Sequence, residues 1–434
     1  MVKKFEASIE SALNRLGDWY QRYHVLFDVL YYMCYIAFLV VAILVHAEKT
    51  ISTAVFFNNY VKQFVLVMDH YLLPGLAICA LVFDFKDKRS KYISFFALYI
   101  LMLYQIEADN RIVAIIPHCS SYYFGVGCLA VAAKGRDFRK IGWIYVGIHA
   151  FLMVLITAMA LTGIIPDLTF DEQMRANRHS LGMTYPLHYA AHWLSIVVVY
   201  NYLKNGFLKW WDYVGIGAIV MICAFLCKAQ TTTLLLMVIV AGSILRRIYT
   251  AGDKNENKQI AIPWRMLEYV YPFMAMVMIL LSFACAPLGK TLEKIPLLQT
   301  INSRFVANRV GLKMYFPTAL GTFYPSEGPN GEYFFDTSYV AVLVGCGVVL
   351  FLIIMFALWY MMHRMALEKQ WYGMFLLALM AISFAMEDRM LNIAINPFWL
   401  MLFADISTIR GYSCITENSD NKQTKEKDQV KKIK

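Results

Sequence analysis

Apolar runs of roughly 18 or more residues follow one another along almost the whole chain, separated by short polar turns. A helix satisfies its own backbone hydrogen bonds in hydrocarbon, so this rhythm predicts about twelve membrane spans. The first covers Val25 to His46 and the second Phe64 to Phe83; the third and fourth flank the turn IEADNR, and the fifth is Ile141 to Gly163. The sixth resumes near His188 and ends at KNGFLKW, the seventh and eighth turn at CKAQTT, and the ninth is Met266 to Leu288. The tenth runs from Thr337 to about Met362, the eleventh ends at Glu387, and a shorter twelfth follows EDRMLNIAIN. This divides the chain into a polar segment 1–24, a transmembrane helical domain 25–407 and a polar tail 408–434. Two polar stretches, 164–187 and 289–335, are too long to be turns.

Composition agrees with a polytopic all-α membrane protein. Mean hydropathy is +0.52 and 59% of residues are hydrophobic. Only 16% are charged, against about 25% in a soluble domain. The runs do not alternate as the strands of a membrane barrel do. The net charge of +10 sits in short loops and the tail, a topological pattern and not a nucleic-acid footprint. Placing both termini in the cytoplasm of a plasma-membrane protein leaves most of the basic residues on the inner side. The stretches 164–187 and 289–335 then face outwards, as do the turns carrying Lys228 and Glu387. Cys34, Cys79, Cys128, Cys223, Cys285 and Cys346 lie inside apolar runs without metal-ligand spacing and read as packing residues. Ionisable residues in or beside the spans are sparse (Asp28, Asp69, His70, His118, His149, Asp405), and no internal repeat is evident, which argues against a transporter.

The chemistry therefore concentrates outside. The first external stretch carries Arg175, Arg178, His179, His188 and His192 around Gly182 and Pro186. In the second, Leu298, Ile301, Phe305, Leu312 and Phe316 recur at near-helical spacing with Arg304, Asn308, Arg309 and Lys313 between them. That pattern predicts an amphipathic helix at the interface, whose guanidinium groups suit phosphate oxygens. Plainer roles stand beside these: Arg304 and Arg309 as binders of bulk anionic headgroups, Asp336 as a helix cap, Gly182 and Pro186 as loop shapers. His188 and His192 lack the Glu of an H-E-x-x-H zinc site, so no metal is expected.

The run NRHSLGMTYPLHYAAH, 177–192, resembles the Arg-x-Ser-Leu-Gly-Phe-x-His-Pro-Asn signature of Wzy-type polysaccharide polymerases, within the O-antigen polymerase and ligase superfamily. Arg178, Ser180, Leu181, Gly182 and Pro186 match; Met183, Tyr185 and Leu187 stand where the family has Phe, His and Asn. Weaker echoes follow. CKAQTTT has Gln230 in the place of an Arg, with Thr231 agreeing, and further matches fall at Ser303 to Phe305, Gly321, Asp336 with Tyr339, Gly345, Glu387 and Asn396.

The resemblance implies a GT-C-like glycosyltransferase in the bacterial cell envelope, without metal or cofactor. It would move a growing glycan from undecaprenyl diphosphate onto a lipid-linked oligosaccharide repeat unit, building capsule, exopolysaccharide or O-antigen. Its partners would be that lipid-linked substrate, the surrounding lipids, a flippase and a chain-length regulator. In that chemistry Arg178 and then Arg304 hold the diphosphate, Arg175 and Arg309 support them, and Ser180 and Gly182 belong to the binding loop. His188, Asp336 and Glu387 are the candidate bases for the acceptor hydroxyl. A ligase of the same superfamily is the first alternative, and a lipid-linked oligosaccharide flippase the second.

Overall fold

A computed structural model describes residues 15, 18, 22–47, 67–84, 91–95, 98, 119–172, 175–252, 264–284, 296–322 and 335–409. The IEADNR turn, most of the third span, the start of the second, the hydrophilic loop 253–263, most of the run GTFYPSEGPNGEYFFD and the tail from Arg410 lie outside the described residues. The chain divides into two compact units, one of 1–166, 182–184 and 391–405, the other of 167–181, 185–390 and 406–434.

The protein is mostly helical. Among the described residues five helices are long and apolar enough to cross a membrane: His24–Leu44, Phe138–Leu161, Gln230–Ile248, Arg265–Phe283 and Gly347–Leu367. Leu73–Phe83, Trp210–Leu226 and Trp371–Phe384 are shorter apolar helices.

The first unit holds α1 (His24–Val45), α2 (Leu73–Cys79, with π-helical turns on both sides), α3 (Cys119–Ala132) and α4 (Phe138–Leu161). Asp137 caps α4 by accepting the Arg139 N–H at 2.8 Å. Helices α1 and α4 run in the same direction. Arg136, just before α4, pairs with Asp28 in the first turns of α1 at 2.9 Å. At the opposite end the His46 carbonyl, past α1, accepts the Thr184 N–H, and Gly182 packs against Ile156 near the end of α4.

Between these two ends run residues 391–405, which take in the second half of the expected turn EDRMLNIAIN and most of the shorter twelfth span expected after it, and no helix of spanning length forms there. Only Pro397–Leu402 is regular, as a six-residue 3-10 helix. Asn392 meets the His46 side chain at 3.2 Å, the Ala394 carbonyl accepts the Tyr145 hydroxyl at 2.5 Å, and Asp405 exchanges backbone hydrogen bonds with Arg136 and Phe138. From Asp28 to His46 the rise of α1 is roughly 27 Å, so the segment traverses most of that depth. Irregular backbone at such depth survives only where protein covers it, and residues 393–401 are buried throughout. Tyr145→Phe should therefore lower the thermal unfolding midpoint in detergent by the equivalent of about 1–3 kcal/mol, because the Ala394 carbonyl loses its donor. Tyr35→Phe is the control: its buried hydroxyl meets no partner among the described residues, so removing it should cost nothing.

The second unit opens with a feature the all-α expectation missed. Strands β1 (Thr169–Glu172) and β2 (Arg175–His179) form an antiparallel hairpin pairing Phe170 with Arg178 and Thr169 with His179. Helix α5 (Pro186–Leu203) then starts with Pro186 at its first turn after an extended Tyr185, as proline's fixed φ and missing N–H favour. After it come α6 (Trp210–Met221, continued by π-helical Ile222–Leu226), α7 (Gln230–Gly252) and α8 (Val270–Ala284, preceded by 3-10 Trp264–Tyr269). The remainder comprises α9 (Pro296–Met314), α10 (Ser338–Gly345), α11 (Gly347–Leu367) and α12 (Trp371–Phe384).

Helix α9 is the amphipathic helix expected in the second loop. Its Leu312 joins Phe335, Val340, Ala341 and Val344 in a small core. The expected tenth span is broken into α10 and α11 at Cys346. Gly347 (φ +80°) and Gly321 (φ +98°) bring two backbones into contact there, and a Cβ on either would overlap the other strand of chain. The Thr318 and Ala319 carbonyls accept the Val348 and Val349 N–H groups, satisfying donors that a helix start leaves open. The crossing helix thus begins at Gly347, and α10 is a separate piece that carries Asp336 and Ser338 at its start.

Candidate functional site

Several of the residues singled out in the stretches 164–187 and 289–335 belong to the second unit. Arg178, on β2, is 1% exposed instead of standing in water. Its Nε donates to the Cys227 carbonyl at 3.2 Å, and its Nη1 lies 3.4 Å from the Tyr185 hydroxyl. The guanidinium carbon sits 5.4 Å from the centre of the Tyr185 ring, a cation–π distance. The Cys227 carbonyl is available because the π-helical end of α6 stops there and the chain reverses through Lys228 at φ +49°. Tyr185 thus serves as a platform for Arg178. Its ring also meets Phe170 edge-on at 4.9 Å and His188 at 6.2 Å.

Arg304, on α9, donates through Nη1 to the Asp336 carbonyl at 3.2 Å and to the Met386 carbonyl. One turn on, buried Asn308 accepts the Asp336 N–H and donates to Thr337 Oγ1 at 2.9 Å, so α9 holds the start of α10 by both its backbone groups. Ser338 fixes the next element. Its hydroxyl donates to the Glu387 carbonyl and accepts the N–H groups of Arg389 and Met390 at 2.8 and 3.0 Å. The turn after α12 is therefore locked onto the start of α10.

That turn carries Glu387, Asp388 and Arg389. Arg389 Nη1 lies 3.0 Å from Glu387 Oε2 and donates to the Leu187 carbonyl at 2.8 Å, on the first turn of α5. Burial pushes the Glu387 carboxyl above its ordinary range; Arg389, Arg304 and Arg178 oppose the rise, in that order, and Asp336 adds to it. Burial likewise raises Asp336, against the pull of Arg304, and lowers Arg389, against Glu387 and Asp388. Three guanidinium groups and three carboxyls thus share one electrostatic environment. Arg178, Arg304, Asp336 and Glu387 are among the candidates expected from the sequence. Arg389 and Asp388 join them from the structure alone, their trace in the sequence being the charged run EDR in a turn between apolar runs.

Other candidates stand apart. Ser180 is fully buried and accepts the Leu168 N–H at 3.1 Å, closing the base of the hairpin instead of facing a ligand. Asp167 completes that closure, accepting the Leu181 N–H and lying 2.6 Å from His179 Nδ1. Gly182, in the first unit, has φ +86° and leaves no room for a Cβ beside Ile156 and Ile165, so its role there is steric. Arg309 lies about 140° around α9 from Arg304 by helical geometry. Arg175 pairs with Glu172 in the hairpin, and its side chain is outside the described residues. His188 projects from the first turn of α5 beside Tyr185. Asn396 belongs to the buried crossing segment of the first unit. No cluster of His, Cys, Asp and Glu suited to a metal ion occurs among the described residues. Comparison of the chain with protein-family models, curated proteins and solved structures gives no match.

Proposed function

We propose that this protein polymerises lipid-linked oligosaccharide repeat units, transferring a glycan from undecaprenyl diphosphate to the terminal sugar of an incoming unit. The observation that carries the reading is that Arg304 and Arg389, from separate stretches of sequence, both bind the turn that holds buried Glu387, Arg304 through the Met386 carbonyl and Arg389 through the carboxylate itself, with Arg178 near enough to act on the same carboxyl electrostatically. A polyprenyl diphosphate leaving group gathers negative charge as the sugar departs, and fixed guanidinium donors stabilise that charge without reorganising at the moment of reaction. Arg389 supplies a third such group. In this reading the site faces outwards from the plasma membrane, both termini are cytoplasmic, and about twelve crossings build a GT-C-like frame. The sugar is already activated by its diphosphate, so the reaction calls for no nucleotide-sugar pocket. Flippase-delivered repeat units and a chain-length regulator are the partners this activity requires.

Purified protein in lipid vesicles, given undecaprenyl-diphosphate-linked repeat units, should produce a ladder of longer lipid-linked glycans resolved by gel electrophoresis. Transfer to a different acceptor without lengthening would instead identify a ligase. Transbilayer movement without bond formation would identify a flippase.

A further inference from the structure

Glycosyl transfer also needs a group to accept the proton of the attacking hydroxyl, and the three bases expected from sequence are poorly placed for it. Glu387 is 7% exposed and its carboxylate is engaged by Arg389. Asp336 is part-buried, with its N–H and carbonyl tied to Asn308 and Arg304. His188 is part-buried on the first turn of α5, with its Nδ1 enclosed. Asp388, between the two members of the Glu387–Arg389 ion pair, is the carboxylate of this cluster that opens to the surface.

We propose that Asp388 accepts the proton from the acceptor sugar's hydroxyl, an assignment that rests on the glycosyl-transfer reading of the site. In the step, the acceptor oxygen forms a bond to the anomeric carbon while the bond from that carbon to the diphosphate oxygen breaks. The bonding pair leaves on the diphosphate, beside the guanidinium of Arg389. The hydroxyl proton passes to the Asp388 carboxylate, which returns it to water before the next turnover. No oxidant or further reactant is needed.

Two features of the turn suit this role. The backbone on either side is pinned, because Ser338 binds the Glu387 carbonyl and the Arg389 N–H, so the carboxylate projects from a fixed point while its side chain reaches solvent. Desolvation by the protein packed around the turn, more than the neighbouring Asp336, raises its carboxyl to about 7 although the residue's own surface is open to solvent, and Arg389 opposes the rise. A base works best when its pKa lies near the operating pH. The sign is definite: above that pH the carboxylate is free to take a proton, and below it the acid form cannot.

The test uses full-length protein in vesicles with undecaprenyl-diphosphate-linked repeat units, comparing wild type, Asp388→Asn and Asp388→Glu. Asn should slow polymerisation by about 100-fold or more, the lower bound for loss of a general base. It should leave the thermal midpoint and the affinity for undecaprenyl diphosphate unchanged. The wild-type kcat/KM should fall on the acid side of about pH 7. Glu should restore part of the rate with a displaced acid limb. An Asn variant that polymerises at the wild-type rate, or a Glu variant with an undisplaced acid limb, overturns the assignment and leaves the polymerase reading standing. A wild-type protein that lengthens no glycan overturns the reading itself, and the assignment with it.

Discussion

Arg178→Ala should abolish long polymer and leave single repeat units on their lipid carrier, with a loss of roughly 100- to 1,000-fold in turnover if one fixed donor to the leaving group is removed. The side chain is almost wholly enclosed, so truncation also strands the Cys227 carbonyl and opens a hole beneath Tyr185. Folding damage therefore has to be separated from lost chemistry. Arg178→Lys does this, because it keeps the charge and most of the volume but lacks the planar fork that can hold carbonyl, hydroxyl and ring face together. If Arg178 serves the leaving diphosphate, the Lys variant should accumulate in the membrane at near wild-type level and still make markedly shorter glycan. Polymer length from a strain carrying each variant, set against its membrane abundance, decides the matter. Full-length polymer from the Ala variant would remove Arg178 from the site.

The second large effect concerns Arg389. Arg389→Ala leaves Glu387 buried without its ion-pair partner, a change that typically costs about 3–5 kcal/mol of stability. The carboxyl of Glu387 is already pushed above its ordinary range by burial, and losing the nearest cation pushes it further. A carboxyl whose pKa is higher folded than unfolded takes up protons on folding, so its charged form weakens the fold as pH rises. The deficit of the variant relative to wild type should therefore be largest at alkaline pH and shrink as the pH is lowered and Glu387 is protonated. Thermal unfolding of detergent-solubilised protein across a pH series measures this directly. The double variant Arg389→Met with Glu387→Leu removes both charges together and should recover most of the lost stability, since apolar pairs often replace buried ion pairs without penalty. Under the polymerase reading it recovers none of the activity, because the third guanidinium is still missing. A double variant that regained both would make the pair purely structural.

What could be seen in the sequence follows from which interactions are local. The apolar runs gave the helices α1, α4, α7, α8 and α11, because span length and composition are properties of a single segment. The amphipathic α9 was visible for the same reason, through its periodicity. The hairpin was not, since TFDE and RANRH carry polar residues on both faces; what holds it is the closure of its base by Asp167 and Ser180 and the burial of Arg178 against a distant carbonyl. The break between α10 and α11 was hidden in an unbroken apolar run, with Gly345 and Gly347 as its only trace. Arg178, Arg304, Asp336 and Glu387 were found through a resemblance and then brought together by the fold. Arg389 and Asp388 were overlooked because a charged turn is ordinarily just solvated, and only Ser338 and the Leu187 carbonyl show that this one is held.

The non-helical passage of 391–405 bears on how the protein is made. A nascent helix can leave the translocon sideways into lipid, because it brings its own hydrogen bonds with it. This stretch cannot: its partners are the hydroxyl of Tyr145, the side chain of His46 and the main chain around Arg136, all on α1, α4 or their flanks. It can settle only once those helices have been inserted and have closed around a path for it, which makes it a late step of folding.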